Sequence, residues 1–434
     1  MLALTDIFFL KKGIKIVVGY SNAALYDLTN GRIYLVSKKN GKLLSKFNTQ
    51  NQIEDSLKKK LVNLGLGTYD FNEAEIQPTQ FDYNSFDDCY LGEKCTLLYI
   101  EIADVCNFHC IHCYANIETC NNKTMNVEQF KKALDSVSNG NPCDIRLTGG
   151  EPFLNKNIRD FIDIVSNDVN PKNCHSIVTN GTFDVKDALY ALKKGFELQI
   201  SIYGMSYEKF HEFTNATKKL WDRVLNNLSV LSKLEYKDKV VLCFAINKIT
   251  YGELSDFISF AKNYGFRYIL NRPASTGRAV KNWNKLQLSI KDHYDFSKMT
   301  QASRMRFCFH MCQLHLCVVC ANGDVIPCSF LRKSNYIFGN IYKTSLESIW
   351  NSQKYMSFRA LTPSKVSKCS DCEFIYACSA GCCAEAEGYN NDVLSCYPWC
   401  QIKPYKNSYI QISDEEIAFA EKLAAGTFLF KRID

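Results

Sequence analysis

Three cysteines at CxxxCxxC spacing follow an apolar run, residues 97–102, that predicts a β-strand. They are Cys106, Cys110 and Cys113. A structural zinc site closes with four protein ligands, whereas a [4Fe–4S] cluster held by three thiolates leaves one iron open to a small molecule. The spacing alone also allows a zinc loop that borrows His109 or His112, or three unrelated thiols.

A second motif ends another short apolar run, which begins at residue 144. It consists of Gly149, Gly150 and Glu151. Two glycines let the backbone approach a ligand closely, and a carboxylate can accept hydrogen bonds from an ammonium group. Together with the CxxxCxxC loop that follows the preceding strand, this motif resembles the radical S-adenosylmethionine (SAM) enzymes.

That resemblance implies a chemistry and a set of site residues. In the family, the unique iron chelates the amino and carboxylate groups of SAM, and the GGE loop binds the amino group. One electron from the cluster cleaves the sulfonium to a 5′-deoxyadenosyl radical, which takes hydrogen from the substrate. The three cysteines would then be catalytic cluster ligands, Gly149, Gly150 and Glu151 would bind SAM, and Ser201 would contact its ribose. An external one-electron donor such as a flavodoxin or ferredoxin is expected.

The elements around these motifs follow a strand–helix rhythm. The predicted strands are 97–102, 144–148, 175–179, 198–203, 240–246 and 268–270, and a helix is predicted over 184–194 with Gly195 at its end. The stretch 273–279 resembles the family's loop after the sixth strand. Parallel strands joined by helices place binding sites at the carboxyl ends of the strands, where both motifs lie. The expected fold is α/β, with a partial (β/α)6 barrel.

More than half of the 21 cysteines lie from residue 308 to residue 400. A C-x2-C-x5-C-x3-C run and an upstream G-x4-C turn that begins at Gly323 resemble the SPASM domain, which binds two auxiliary [4Fe–4S] clusters. A pair of zinc ribbons is the alternative. The resemblance assigns one cluster to Cys369, Cys372, Cys378 and Cys396, and the other to Cys308, Cys312, Cys328 and Cys382.

Two of these ligand assignments stay open. Cys400 could take the place of Cys396 as the last ligand. We favour Cys396, because the Cys-Tyr-Pro sequence that begins there resembles related peptide maturases. Cys317 or Cys320 could replace Cys308. The fourth ligand of that cluster could also be absent, which would leave an iron open to a substrate thiolate.

The first 90 residues predict a separate small module. Strands are predicted over 14–18, 24–26 and 32–36, with a hairpin turn at 29–31, and a helix with Asn51 as its cap runs to about Leu64. Strands and helices in this order resemble the winged-helix-like peptide-recognition domain of many peptide maturases. Residues 1–60 contain eleven Lys or Arg against four Asp or Glu. This excess of positive charge could attract an acidic partner, or it could simply form a solvated surface.

Composition limits the remaining possibilities. The chain has 434 residues, of which 46% are hydrophobic and 22% charged, as in ordinary globular proteins with two or three domains. We expect a cytoplasmic protein, because no apolar stretch nears the roughly 20 residues that span a bilayer and the start does not read as a signal peptide. We expect neither a membrane nor a nucleic-acid partner, since no nucleic-acid motif is present.

The expected organisation is a winged-helix-like module at 1–90, a radical SAM partial barrel at 91–300, a SPASM domain at 301–410 and a C-terminal helix at 411–434, running from about Asp414 to Ala425. The expected function is a peptide-modifying oxidoreductase that takes hydrogen from a ribosomally made precursor peptide with an acidic leader and installs a thioether. The alternatives are carbon–carbon crosslinking, epimerisation and a non-catalytic peptide-binding partner. A sulfatase-maturing enzyme is a further alternative, but that group carries an aspartate where this chain has Ser329.

Overall fold

The structure is a computed structural model, and it describes a large part of the chain. The described residues are 7–81, 95–115, 124–135, 144–168, 173–289, 291–292, 311, 316–366, 368–398, 400 and 431–434. The chain divides into two compact units. The first unit comprises Met1–Leu91, Ser289–Leu314 and Arg359–Asp434, and the second comprises Gly92–Leu288 and His315–Phe358.

Strands form the scaffold of both units. In chain order they are β1 (Phe9–Leu10), β2 (Ile14–Val18), β3 (Asn22–Asp27), β4 (Arg32–Ser37), β5 (Gly67–Thr68), β6 (Leu97–Ala103), β7 (Asp144–Gly149), β8 (Ser176–Thr179), β9 (Glu197–Ile202), β10 (Val240–Ala245), β11 (Arg267–Asn271), β12 (Leu316–Val319), β13 (Asp324–Ile326), β14 (Gly339–Asn340) and β15 (Lys431–Arg432).

Helices lie between these strands. In chain order they are α1 (Lys38–Leu44), α2 (Asp55–Asn63), α3 (Val127–Asp135), α4 (Ile158–Asp168), α5 (Val185–Lys193), α6 (Tyr207–Thr214), α7 (Lys218–Leu231), α8 (Leu254–Tyr264), α9 (Arg278–Lys281), α10 (Trp283–Leu286), α11 (Leu346–Trp350), α12 (Gln353–Arg359), α13 (Ile375–Cys378) and α14 (Cys383–Asn390). Among the described residues, no helix is long and apolar enough to cross a membrane.

The second unit is built on one sheet with strand order β11-β10-β9-β8-β7-β6-β12-β13-β14. The six strands from β6 to β11 are neighbours in chain order and pair in parallel, which confirms the predicted α/β fold. Asp184 caps α5, and the left-handed Gly195 follows its end, as the sequence predicts. The sequence did not predict that β12 pairs in parallel with β6 and that β13 and β14 extend the sheet further.

The first unit contains an antiparallel meander of β2, β3 and β4, close to the three strands predicted there. Asp27 accepts hydrogen bonds from the backbone and side chain of Asn30 in the predicted turn. One expectation was wrong: α2 starts after Glu54, and Asn51 instead accepts a bond from the Phe8 amide. The helix predicted from about Asp414 to Ala425 lies outside the described residues.

Strand β3 is buried along its whole length because both faces of its sheet are covered. Alternate side chains of a strand point to opposite faces. On one face, Ala23 and Leu25 pack in the core that includes the α2 residues Leu57 and Leu61. On the other face, Ala24, Tyr26, Ile33 and Leu35 pack against Cys372 and Phe374. The N-terminal module and the C-terminal cysteine segment therefore share a hydrophobic core.

Candidate active site

The predicted cysteine loop follows β6, and backbone hydrogen bonds hold it against the end of α6. The His109 amide donates to the Thr214 carbonyl at 2.9 Å, and the Ile111 amide donates to the Phe213 carbonyl at 3.0 Å. These bonds fix the middle of the loop without using any cysteine side chain. The thiols therefore stay available for ligands.

Arg278 is the second anchor of the cysteine loop. This residue is only 5% exposed, and its Nε donates to the Cys110 carbonyl at 2.9 Å, while its amide donates to the Cys113 carbonyl at 2.9 Å. The preceding Gly277 has φ +56°, and a Cβ there would lie 2.4 Å from the Cys113 oxygen. The loop after β11 can approach the cysteines this closely only because it has a glycine at that position.

The GGE turn is bonded to the segment that leads into Cys106. Strand β7 ends at Gly149, where φ is +135° and a Cβ would lie 2.2 Å from the Ala103 oxygen. The amide of Gly150 donates to the same oxygen at 2.8 Å, and the amide of Glu151 donates to the Val105 oxygen at 2.8 Å. The two motifs found in the sequence thus form a single structural element at the ends of neighbouring strands.

The Glu151 carboxylate is 1% exposed and points towards the end of β8. It accepts hydrogen bonds from the Thr179 hydroxyl at 2.7 Å, the Asn180 amide at 2.7 Å and the Phe153 amide at 3.2 Å. Burial raises the pKa of Glu151 to about 7. The carboxylate therefore ties β7 to β8, and the SAM-binding role of the turn stays a prediction.

Asn180 is a site residue that the sequence reasoning missed. Its side-chain amide lies 3.8 Å from the Cys106 sulfur and donates to the Asn107 side chain at 2.8 Å. Its own oxygen accepts bonds from the amide and hydroxyl of Thr182. Asn180 could have been predicted from its position directly after a strand. The carboxyl ends of parallel strands form the binding edge of such a sheet, and the cysteine loop lies at the same edge.

Ser201 and His112 both contact an aromatic group beside the cysteines. Tyr203 stacks on Phe213 with ring centroids 5.2 Å apart, and the His112 ring lies 5.3 Å from Tyr203. Ser201 shares a side-chain hydrogen bond with Tyr203, so its predicted contact with ribose stays a prediction. Burial lowers the pKa of His112 to about 3, which keeps this imidazole neutral.

The thiols of the loop suit an iron–sulfur cluster in their donor chemistry. Burial raises the pKa of Cys106 to about 12 and that of Cys110 well above its ordinary value, so an iron centre would have to stabilise the thiolates. The Phe108 amide lies 3.4 Å from the Cys106 sulfur, and such N–H bonds to sulfur are one means of tuning a cluster. Among the described residues, no group of three or more His, Cys, Asp or Glu side chains is arranged to hold a single metal ion.

A second set of cysteines is assembled in the first unit. The buried Cys396 shares side-chain hydrogen bonds with Cys369 and Cys400. Burial raises the pKa of Cys372 to about 12, and the charges of Cys400 and Cys378 add smaller contributions in the same direction. Cys396 is therefore bonded to one other predicted ligand, Cys369, and to its own rival Cys400, and the choice of ligand between Cys396 and Cys400 stays a prediction.

The backbone between Cys378 and Cys382 is left-handed at three successive residues. Ser379, Ala380 and Gly381 have φ values of 52°, 60° and 72°. Non-glycine residues in this region cost about 1–3 kcal/mol each and persist where the surroundings enforce them, often at functional sites. Here the turn directs the amides of Ala380 and Gly381 at the Cys378 thiol, which lowers its pKa against the larger effect of burial.

The remaining predicted ligands are only partly described. Cys308 and Cys312 lie outside the described residues, Cys328 follows β13, and Cys382 precedes α14. The two proposed substitutes have partners in the larger sheet. Cys317 shares a side-chain hydrogen bond with Cys95, and Cys320 shares one with Glu101.

Comparison with known proteins identifies two domains. A family model for the radical SAM superfamily matches residues 100–261, and a model for the SPASM iron–sulfur cluster-binding domain matches residues 308–373. The first match contains the cysteine loop, the GGE turn and Ser201. The second contains Cys308, Cys312, Cys328, Cys369 and Cys372.

Several curated proteins are similar in sequence. The mycofactocin maturase MftC of Mycolicibacterium smegmatis is 24% identical over 313 residues, which are 65% of this chain and 77% of that protein. The sporulation killing factor maturation protein SkfB of Bacillus subtilis is 27% identical over 215 residues, which are 49% of each chain. A cysteine-type anaerobic sulfatase-maturating enzyme of Clostridium novyi is 24% identical over 324 residues, covering 64% of this chain and 84% of that enzyme. The matched segment thus spans about half the length of SkfB.

Solved structures share the fold. Streptococcus suis SuiB bound to its precursor peptide SuiA has a TM-score of 0.54 at 16% identity, covering 94% of this chain and all of that one. The enzyme anSMEcpe with bound AdoMet has a TM-score of 0.53 at 19% identity, covering 77% of this chain and 98% of that one. The two matched domains imply iron–sulfur clusters and SAM as cofactors. The chain therefore contains a radical SAM domain and an iron–sulfur cluster-binding SPASM domain.

Proposed function

We propose that this protein modifies a ribosomally made precursor peptide by radical chemistry and that the product is a thioether crosslink. The relatives MftC and SkfB, whose names describe them as maturation proteins, support a peptide substrate. The observation that carries the proposal is the second group of cysteines, which the SPASM model matches in part and in which Cys396 is bonded to Cys369 and Cys400. Hydrogen abstraction needs only the first set, whereas oxidation of the resulting carbon radical needs an electron acceptor.

The chain's own residues would do the positioning. Cys106, Cys110 and Cys113 would hold a cluster whose reaction with SAM supplies a radical that removes hydrogen from an unactivated carbon. Arg278 holds the cysteine loop in place by donating hydrogen bonds to the carbonyls of Cys110 and Cys113. Glu151 holds the GGE turn against the end of β8. The backbone of Gly149 and Gly150 would lie against SAM.

The balance of the reaction explains why two redox sites are useful. A thioether forms when one S–H and one C–H bond break and one C–S bond forms, so the peptide loses two hydrogens. One hydrogen leaves as an atom to the SAM-derived radical, and the other leaves as a proton and an electron. The two predicted auxiliary clusters would accept that electron. One would be held by Cys369, Cys372, Cys378 and Cys396, and the other by Cys308, Cys312, Cys328 and Cys382. An external flavodoxin or ferredoxin would return an electron to the first cluster.

Sulfatase maturation is the second candidate, because the Clostridium novyi relative carries that name. The residue after the G-x4-C cysteine argues against it. Ser329 is 7% exposed, and its hydroxyl has no hydrogen-bond partner among the described residues. A serine hydroxyl in this setting cannot replace the carboxylate base that the sulfatase-maturing group carries at that position.

Mass spectrometry of the precursor peptide after anaerobic co-expression tests the proposal. A thioether lowers the mass by two hydrogens per crosslink and removes one free thiol, which an alkylating reagent detects. A carbon–carbon crosslink gives the same mass loss but leaves every thiol reactive. Epimerisation leaves the mass unchanged in H2O and adds deuterium in D2O. An unchanged peptide in both solvents, with SAM cleavage intact, would refute the proposal.

A further inference from the structure

The sheet of the N-terminal module has an unexpected fourth strand. Strand β15 pairs in parallel with β4, with Lys431 opposite Tyr34 and Arg432 opposite Leu35. The Ile433 amide continues the pairing by donating to the Leu35 carbonyl at 2.9 Å. A segment remote in sequence therefore covers the edge of β4, which would otherwise present unpaired backbone groups.

Two side chains anchor this segment. Ile433 is 4% exposed and belongs to the core that contains Tyr34, Val36 and Leu44. The Asp434 carboxylate accepts hydrogen bonds from the Ser37 amide at 2.6 Å and from the Asn40 side chain at 2.7 Å. The edge of β4 thus offers three recognition features: backbone groups, an apolar pocket and a pair of N–H donors for an acid.

The winged-helix-like resemblance already implies that this module holds an extended peptide, and we propose that residues 431–434 are a built-in occupant of the β4 edge that such a peptide must displace. A precursor segment with an apolar residue followed by an acidic residue would displace them. This inference deepens the proposed function and rests on it, since it needs a peptide substrate. It also gives the acidic leader a specific site, where main-chain bonds give affinity and the two side chains give specificity.

The contacts of residues 431–434 with β4 are few enough for a competing peptide to replace them. Its register with β4 covers two residues, whereas β3 pairs with β4 over six. The apolar burial of one side chain is offset by the entropy lost in ordering the segment's backbone. Because the segment is covalently attached, it nevertheless competes at a high effective concentration. A free peptide would bind wild-type protein weakly until the segment is loosened.

Fluorescence anisotropy with a labelled peptide of the sequence of residues 427–434 tests this competition on the full-length protein. Ile433→Asp places a charge where the pocket is apolar and should release the segment. We expect the probe to bind this variant at least tenfold more tightly than wild type. A control probe with serine in place of its isoleucine and aspartate should bind neither protein. Asn40→Ala in the released variant should weaken probe binding about tenfold, since it removes a hydrogen bond to a charged group.

A second variant covers the case in which Ile433→Asp fails to fold. Asp434→Lys keeps the apolar anchor and removes only the acidic one, and it should give a smaller gain in probe affinity. Equal probe affinity for wild type and Asp434→Lys, or a folded Ile433→Asp variant with no gain, would overturn the inference and leave β15 as an ordinary structural strand. Probe binding with no modification of any precursor would instead count against the proposed function alone.

Discussion

Replacing Gly277 with alanine tests whether the loop after β11 sets the position of the cysteine loop. A Cβ at this position would lie 2.4 Å from the Cys113 oxygen and 2.6 Å from the Tyr114 oxygen. Real Cβ contacts are essentially never shorter than 3.0 Å, so the two loops must separate by about 0.6 Å in the variant. Arg278 is the next residue, and its bonds to the carbonyls of Cys110 and Cys113 must lengthen with that movement.

Two effects contribute to the expected loss, and a control variant separates them. A non-glycine residue with a left-handed backbone costs about 1–3 kcal/mol of stability. Gly195→Ala should suffer only this cost, because Gly195 has φ +96° and a Cβ added there would meet nothing within 4 Å beyond its chain neighbours. Gly277→Ala adds the collision beside the cysteines. A misplacement of about 1 Å near reacting groups can reduce the rate about 10²-fold.

The assay is iron content and SAM cleavage after anaerobic reconstitution. We expect Gly195→Ala to retain full iron and wild-type cleavage with a lower melting temperature. Gly277→Ala should lose about four of about twelve irons, or keep them and cleave SAM about 10²-fold more slowly. The same iron content and cleavage rate in both variants would refute the claim that this contact positions the cluster ligands.

Three further results are expected. Changing all three cysteines of the loop to alanine should leave about eight irons and abolish SAM cleavage, and stoichiometric zinc in wild type would contradict this. Cys396→Ser should lose iron while Cys400→Ser keeps it, because Cys396 is buried and bonded to Cys369; the opposite pattern in iron analysis would make our choice of ligand wrong. Tyr26→Phe should lower the free energy of unfolding by about 1–3 kcal/mol, because the buried carbonyl of Glu373 loses its donor at 2.7 Å. The half-exposed control Tyr69→Phe should change that energy by less than about 0.5 kcal/mol, and equal effects in denaturant titrations would refute the argument.

The parallel strands β6 to β11 were predictable because local signals agree there. Each is a short apolar run that ends at a glycine or a polar turn, and the signals at both ends of α5 match its observed bounds. The chemistry-bearing motifs follow β6 and β7 directly, so parallel pairing alone brings them together. Local pattern and tertiary position therefore gave the same answer for the cysteine loop and the GGE turn.

The missed residues depend on contacts between distant segments. Asn180 reaches the Cys106 sulfur, and Arg278 holds the carbonyl of Cys110. The sequence placed Arg278 in the loop at 273–279 but did not show that this loop contacts the cysteines. The two-residue strand β15 is too short to show a periodicity. Asparagine is a common helix cap, yet the side chain of Asn51 accepts a hydrogen bond from the Phe8 amide instead. Tertiary hydrogen bonds decided each of these cases.

The shared core of the first unit changes how recognition has to be tested. Tyr26 of β3 donates to the Glu373 carbonyl, and the backbone and side chain of Asn22 donate to the carboxylate of the same residue. Gly19 lies so close to Glu373 that a Cβ would be 2.2 Å from its carboxylate oxygen. Because Glu373 directly follows the predicted ligand Cys372, removal of the N-terminal module would uncover the cysteine segment as well as delete the proposed peptide site on β4. Lost peptide modification in such a truncation would therefore not identify the recognition surface, whereas point changes at the edge of β4 leave the core around Cys372 in place.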